Sequence, residues 1–211
     1  MAGAVAGRDL GDPDRRPDRA PRIGLCRSPT WQAAAPETVA LMERAAQVLA
    51  RAGASVEMRE LPDAYAALPE AHQVVMQAES ARSMGWEMNF HRAGISDGLR
   101  ERLEWGNAQG PAALDAARAT FARLQAGFPT ALDGLDFLLM PSAVGEAPEG
   151  LGWTGDPAFN SIWTALHVPC VTVPAGVGPG GMPLGLQVVA RRGEDEAALA
   201  WAQYVASAME G

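Results

Sequence analysis

Apolar positions along this chain follow two different spacings, and the places where one gives way to the other mark out the elements. Residues 22–26 (RIGLC) are a short apolar run that predicts a strand. From Pro36 the spacing becomes helical, with Leu41, Ala45, Val48, Leu49 and Ala52 on one face before Gly53 ends the helix. Residues 55–60 (SVEMRE) then alternate as a strand does, so the passage predicts a β-α-β unit with a parallel pair and a right-handed crossover.

Residues 64–132 read as helices, with breaks at 94–96 and at Gly110-Pro111, where proline suits a first helical turn. In the last of these helices Leu114, Ala117, Phe121 and Leu124 share a face. Residues 137–140 are wholly apolar and fit a strand buried on both faces, stopped by Pro141. The glycine- and proline-rich stretch 142–156 must be a loop, and loops that long inside a compact domain are usually functional or disordered. A short helix over 159–166 follows, then apolar strands at 170–173 and 186–190 joined by a tight connection with five glycines and three prolines. Residues 194–209 predict an amphipathic helix with acids in its first turn and Trp201, Tyr204, Val205 and Ala208 on one face. The whole is an α/β chain, a mixed central sheet flanked by helices.

Composition narrows the function. The 211 residues carry a net charge of -8, which leaves no basic surface for nucleic acid. All 17 cationic side chains are arginines, and arginine cannot act as a neutral base. Residues 8–21 mix charge with three prolines, so 1–21 reads as a flexible N-terminal segment and 22–211 as the folded domain. No basic stretch precedes the first apolar residues and no apolar run approaches the roughly 20 residues of a membrane span. The expectation is a cytoplasmic protein with no membrane partner. Cys26 and Cys170 fall in apolar strand segments and read as reduced core residues. No His or Cys ligand spacing occurs, so neither a metal nor a cofactor is expected.

Two motifs are weaker than they look. Gly176-Val-Gly178-Pro-Gly-Gly181 has the spacing of a dinucleotide loop, but Pro183 and Gly185 lead into a strand where that loop needs a helix. Among the serines none lies in a GxSxG elbow. Ser142 is the least implausible nucleophile, though a Pro-Ser strand exit is ordinary turn chemistry, and His167 reads as a packing residue. Pro169 and Pro174 bracket a four-residue strand, Gly185 permits a close backbone approach, and Gln187 offers a polar group near the sheet's edge. Asp156 before Pro157 suits an N-cap.

The ordered series DFLLMPSAVGEAP, WTGDPAFNSIWTALHVPCVTVPAG and GMPLGLQVVARRGEDEAALAWA resembles the C-terminal half of the amidase-signature family. The segment RIGLC…PETVALMERAAQVLARAGASVEMRELP is similar to the part that follows that family's signature. The resemblance implies a partial amidase-signature fold and hydrolysis of carboxylic amide C–N bonds by a serine nucleophile, a second serine in a cis peptide and a lysine base. This chain has no glycine- and serine-rich signature and no lysine. Hence it is expected to be the C-terminal portion of such a hydrolase, inactive alone. It would form part of the pocket through Trp153, Thr154, Phe159, Asn160 and Trp163, with no catalytic residue of its own. The aromatic members of that set have an equal reading as plain core. The rival expectation is a non-catalytic binding or interaction module on the same fold. Implied partners are a small-molecule amide, once an N-terminal half completes the site, and a protein partner or a second copy of the chain.

Overall fold

The structure, a computed structural model, describes residues 17–211. Five strands form one mixed sheet: β1 (Arg22–Arg27), β2 (Ser55–Glu60), β3 (Phe137–Pro141), β4 (Cys170–Val177) and β5 (Pro183–Val189). Their spatial order is β2-β1-β3-β5-β4. β1 runs parallel to both β2 and β3, with Ile23 opposite Val56 and Phe137, while β5 is antiparallel to β3 and β4. β3 lies at the centre and is buried throughout, which is why its sequence is apolar at every position.

The strands' alternation sorts their side chains onto two cores. Ile23, Leu25, Phe137, Leu139, Leu186 and Val188 face one way, against α1 (Pro36–Arg51) and the C-terminal helix. Cys26, Leu138, Met140 and Val189 face the other. There they meet α2 (Leu68–Ser83), α5 (Pro111–Ala131) and the short α6 (Ser161–Leu166) through Leu68, Phe121, Phe128 and Trp163. Two further helices, α3 (Gly85–Phe90) and α4 (Asp97–Ala108), attach beyond α2 around a small cluster of Ala81, Ile95 and Leu103. Gly106 makes the α4 contact close, because a Cβ there would sit 2.1 Å from the Gln77 carbonyl oxygen. The last helix, α7 (Asp195–Glu210), begins with Asp195 and Glu196 in its first turn and buries Ala198, Ala202 and Val205.

Several expectations need adjustment. Pro174 does not end β4; the strand continues past it through a bulge between Pro174 and Gly176. β4 lies at the sheet's edge, where a missing N–H costs no ladder bond. Cys170, on that edge strand, is exposed rather than core while Cys26 is buried, and desolvation pushes both thiols up to about 12. Gln187 lies one strand in from the edge, buried, and donates to the Phe159 carbonyl at 3.4 Å. Of the N-terminal segment, residues 1–16 fall outside the described residues. Arg19 makes two hydrogen bonds to Asp136, of 2.8 and 2.5 Å. Among the described residues no helix is long and apolar enough to cross a membrane.

Candidate functional site

The chain leaves the centre of the sheet at Pro141 and does not regain regular structure until Ser161. That excursion is held at several points. Ser142 N donates to the Gly185 carbonyl (3.0 Å), and a Cβ on Gly185 would lie 2.5 Å from Ser142 Oγ, so glycine is what allows loop and strand to touch. Ala35 N donates to Val144 O at 2.7 Å. Asn160 Nδ2 returns to Ser142 O at 3.1 Å, tying the two ends of the loop together. Asp156 Oδ1 accepts from Ala158 N at 2.9 Å and Asn160 N donates to Pro157 O at 2.8 Å, so Asp156 caps the turn that precedes α6.

Glu146 makes the loop's other anchorage. Its carboxylate accepts from Gly180 N (2.8 Å) and Met182 N (2.7 Å) in the turn between β4 and β5. The apparent GxGxxG is thus a hairpin turn, closed by Gly178 N to Met182 O at 2.9 Å, with Gly181 at φ 87°. Its bound anion is this chain's own carboxylate.

Between loop, hairpin and the start of α6 lies a cleft of about 650 Å³. Trp153, Thr154 and Asn160 line it, together with Asp156, Glu146 and Arg102. Trp153 is 61% exposed. The other two expected pocket residues are elsewhere. Phe159 (1% exposed) meets Trp31 edge-on at 6.4 Å, and Trp163 (2% exposed) meets Phe128 edge-on at 5.9 Å, both within the core. The Trp163 indole N–H is buried without an acceptor. Nothing in the sequence pointed to Arg102 or Glu146. Glu146 sits in a Gly-Glu-Ala-Pro run that signals only a turn, and Arg102 approaches from α4, 40 residues before the loop, with no motif to link them.

A second cavity, about 430 Å³, opens between α2 and α6 with His72, Glu79, Ser80, Ser83, Thr164 and His167 on its walls. Burial holds the His72 imidazole below its ordinary value. The first cleft has carboxylates, an amide, a hydroxyl and a guanidinium, and its lining includes neither Ser142 nor a histidine. These groups can donate and accept hydrogen bonds. Among the described residues no group of three or more metal-ligating side chains occurs.

An α/β sheet of this order with a long loop leaving its central strand defines a class, and comparison with known proteins gives the family. The amidase family model matches residues 5–199, and the chain belongs to the amidase family. It is 28% identical over 243 residues to the A component of glutamyl-tRNA(Gln) amidotransferase from Rhodospirillum rubrum, covering 94% of this chain and 48% of the relative. The corresponding component from Dinoroseobacter shibae is 30% identical over 244 residues, covering 92% of this chain and 49% of the relative. A solved amidase structure superposes with a TM-score of 0.85 at 24% identity, covering 97% of this chain and 49% of that one. The chain thus spans about half the length of the relatives it matches.

Proposed function

We propose that these residues form one wall of the substrate pocket of an amide-hydrolysing enzyme, with the nucleophile and its base supplied by polypeptide outside this sequence. One observation carries the reading: a chain of the amidase family spans about half the length of its relatives and contains no lysine at all. A serine nucleophile needs a partner that is neutral and basic near pH 7, and arginine is neither.

In this reading the 650 Å³ cleft holds the part of the amide remote from the scissile bond. Trp153 supplies apolar area, and Thr154 and Asn160 supply polar contacts. Phe159 and Trp163 act from beneath, as the packed support of α6. The test is hydrolysis of a panel of aryl and aliphatic amides by the purified chain, with and without an N-terminal amidase half added. Turnover only in the mixture is the expected result, with Trp153→Ala raising KM several-fold. Turnover by the chain alone would overturn it.

A further inference from the structure

The two edges of the sheet are built differently. β4 is broken as a template: Pro174 has no N–H, a bulge follows it, and Arg44 from α1 takes the Ala175 carbonyl at 2.5 Å. β2 has none of these devices. It pairs with β1 without interruption from Ser55 to Glu60, contains no proline, and its residues are exposed or half-buried throughout. Beside it an apolar cleft of about 310 Å³, lined by Leu25, Trp31, Val39, Met42, Ala46 and Met58, opens to solvent, and Met58 is 54% exposed at its rim.

Charge is the usual protection for such an edge, and β2 carries Glu57, Arg59 and Glu60. These charges do not repel a second β2. An antiparallel copy about a two-fold axis perpendicular to the sheet must place residues of the same facing opposite each other, so each strand residue meets one of its own parity. Centring the axis on Met58 sets Met58 opposite Met58, Glu57 opposite Arg59, and Val56 opposite Glu60. The ion pair is made twice, and the apolar pair lies on the face that carries the open cleft. Moving the axis to Glu57 or to Arg59 would instead set like charges against each other.

Arg59 is also incompletely partnered. Its Nη2 donates to Glu57 Oε1 (2.6 Å) and to the Asp133 carbonyl (3.3 Å), but its Nε is buried without an acceptor. A second Glu57 carboxylate arriving opposite would reach the same guanidinium.

We propose that a second copy of this chain pairs with β2, antiparallel and centred on Met58, to give a continuous ten-stranded sheet. The occupant is argued from complementarity of the strand with itself: two Glu57–Arg59 pairs, one Met58–Met58 contact, and an unpaired backbone edge beside apolar surface. No amide and no completing half is needed for this association, so its failure and that of the proposed function are separate results.

Sedimentation of the purified chain tests it. A species of twice the 22.2 kDa chain mass is expected. Glu57→Arg, at a side chain 52% exposed and so compatible with folding, is expected to give a monomer, and Glu57→Arg with Arg59→Glu to restore the dimer. Register is read separately. Opposed strand residues have Cα atoms about 4.5–5.5 Å apart, within disulfide range, so Met58→Cys is expected to cross-link on oxidation and Glu60→Cys is not. A monomer at all concentrations overturns the proposal, as does a dimer that survives Glu57→Arg and does not cross-link at position 58. A monomer that pairs through this edge only with an added N-terminal amidase half would assign the edge to that half and overturn self-pairing.

Discussion

His167 holds the one positive φ among the described non-glycine residues, 54° with ψ 41°, where it closes the C-terminus of α6. A Cβ in this left-handed region costs about 1–2 kcal/mol, and glycine is the usual solution at such a cap. The imidazole is exposed and lies on the wall of the α2–α6 cavity. His167→Gly relieves that strain but adds roughly 0.5–1 kcal/mol of unfolded-chain entropy, so Tm is expected to rise by no more than about 2 °C. A fall in Tm of more than about 2 °C would show that the imidazole makes a contact worth more than the strain. Asp136 is the second residue with a measurable consequence. Desolvation works to raise its carboxyl, but the Arg19 hydrogen bond, the Arg22 amide at 2.7 Å and the two guanidinium charges together outweigh it, and the group lies below its ordinary value. A depressed carboxyl stabilises the fold above the unfolded pKa, near 4, and loses that contribution as pH falls. Solvent at Arg19 keeps the effect small. Asp136→Asn is therefore expected to lower Tm at neutral pH, and the gap from wild type to close as pH is taken below about 4 in a thermal titration.

Glu146 joins two elements that the sequence keeps well apart, the loop after β3 and the turn between β4 and β5. Its two bonds are charge-assisted but open to solvent, and such bonds contribute roughly 0.5–1.5 kcal/mol each. Glu146→Ala is expected to speed hydrogen exchange at the Gly180 and Met182 amides by at least tenfold while leaving β3 protected. Unchanged exchange at those two amides would mean that the turn holds itself. The same variant should relieve Gly178→Ala, whose Cβ would lie 2.4 Å from the Glu146 carboxyl carbon. Contacts of this kind explain what the sequence revealed and what it did not. β1, α1 and β3 were legible because burial writes directly into residue type: RIGLC and FLLM are apolar since both faces of those strands are covered. The full length of β4 was not, because Pro174 breaks an interior strand but is tolerated at an edge, and edge position is a property of the assembled sheet. Trp153, Thr154 and Asn160 do line one cleft, but Phe159 and Trp163 could not be separated from them, because neither an irregular loop nor so short a helix has a period that tells which side meets the core. Glu146 and Arg102 depend on distances across the fold and leave no local signal.

At the scale of the molecule, one sheet carries two cores. The α1–α7 side and the α2–α5–α6 side share β1, β3 and β5, so neither can open without exposing the other. The α3–α4 unit is different, resting on α2 through three buried residues and exposing Trp86 (60%), Phe90 (70%) and Trp105 (41%). Little apolar burial means a low local free energy of opening. Exposed aromatics there, an unpaired β2 edge and an open 310 Å³ cleft together leave apolar surface facing solvent in a single copy of the chain. The chain by itself is therefore expected to be marginally stable, with a Tm at or below the lower end of the roughly 45–65 °C common to mesophile domains. Hydrogen exchange should find residues 85–108 opening well below that temperature while β3 stays protected. A single cooperative transition at high temperature, with 85–108 protected as strongly as β3, would show that the exposed surface costs the fold far less than its area implies.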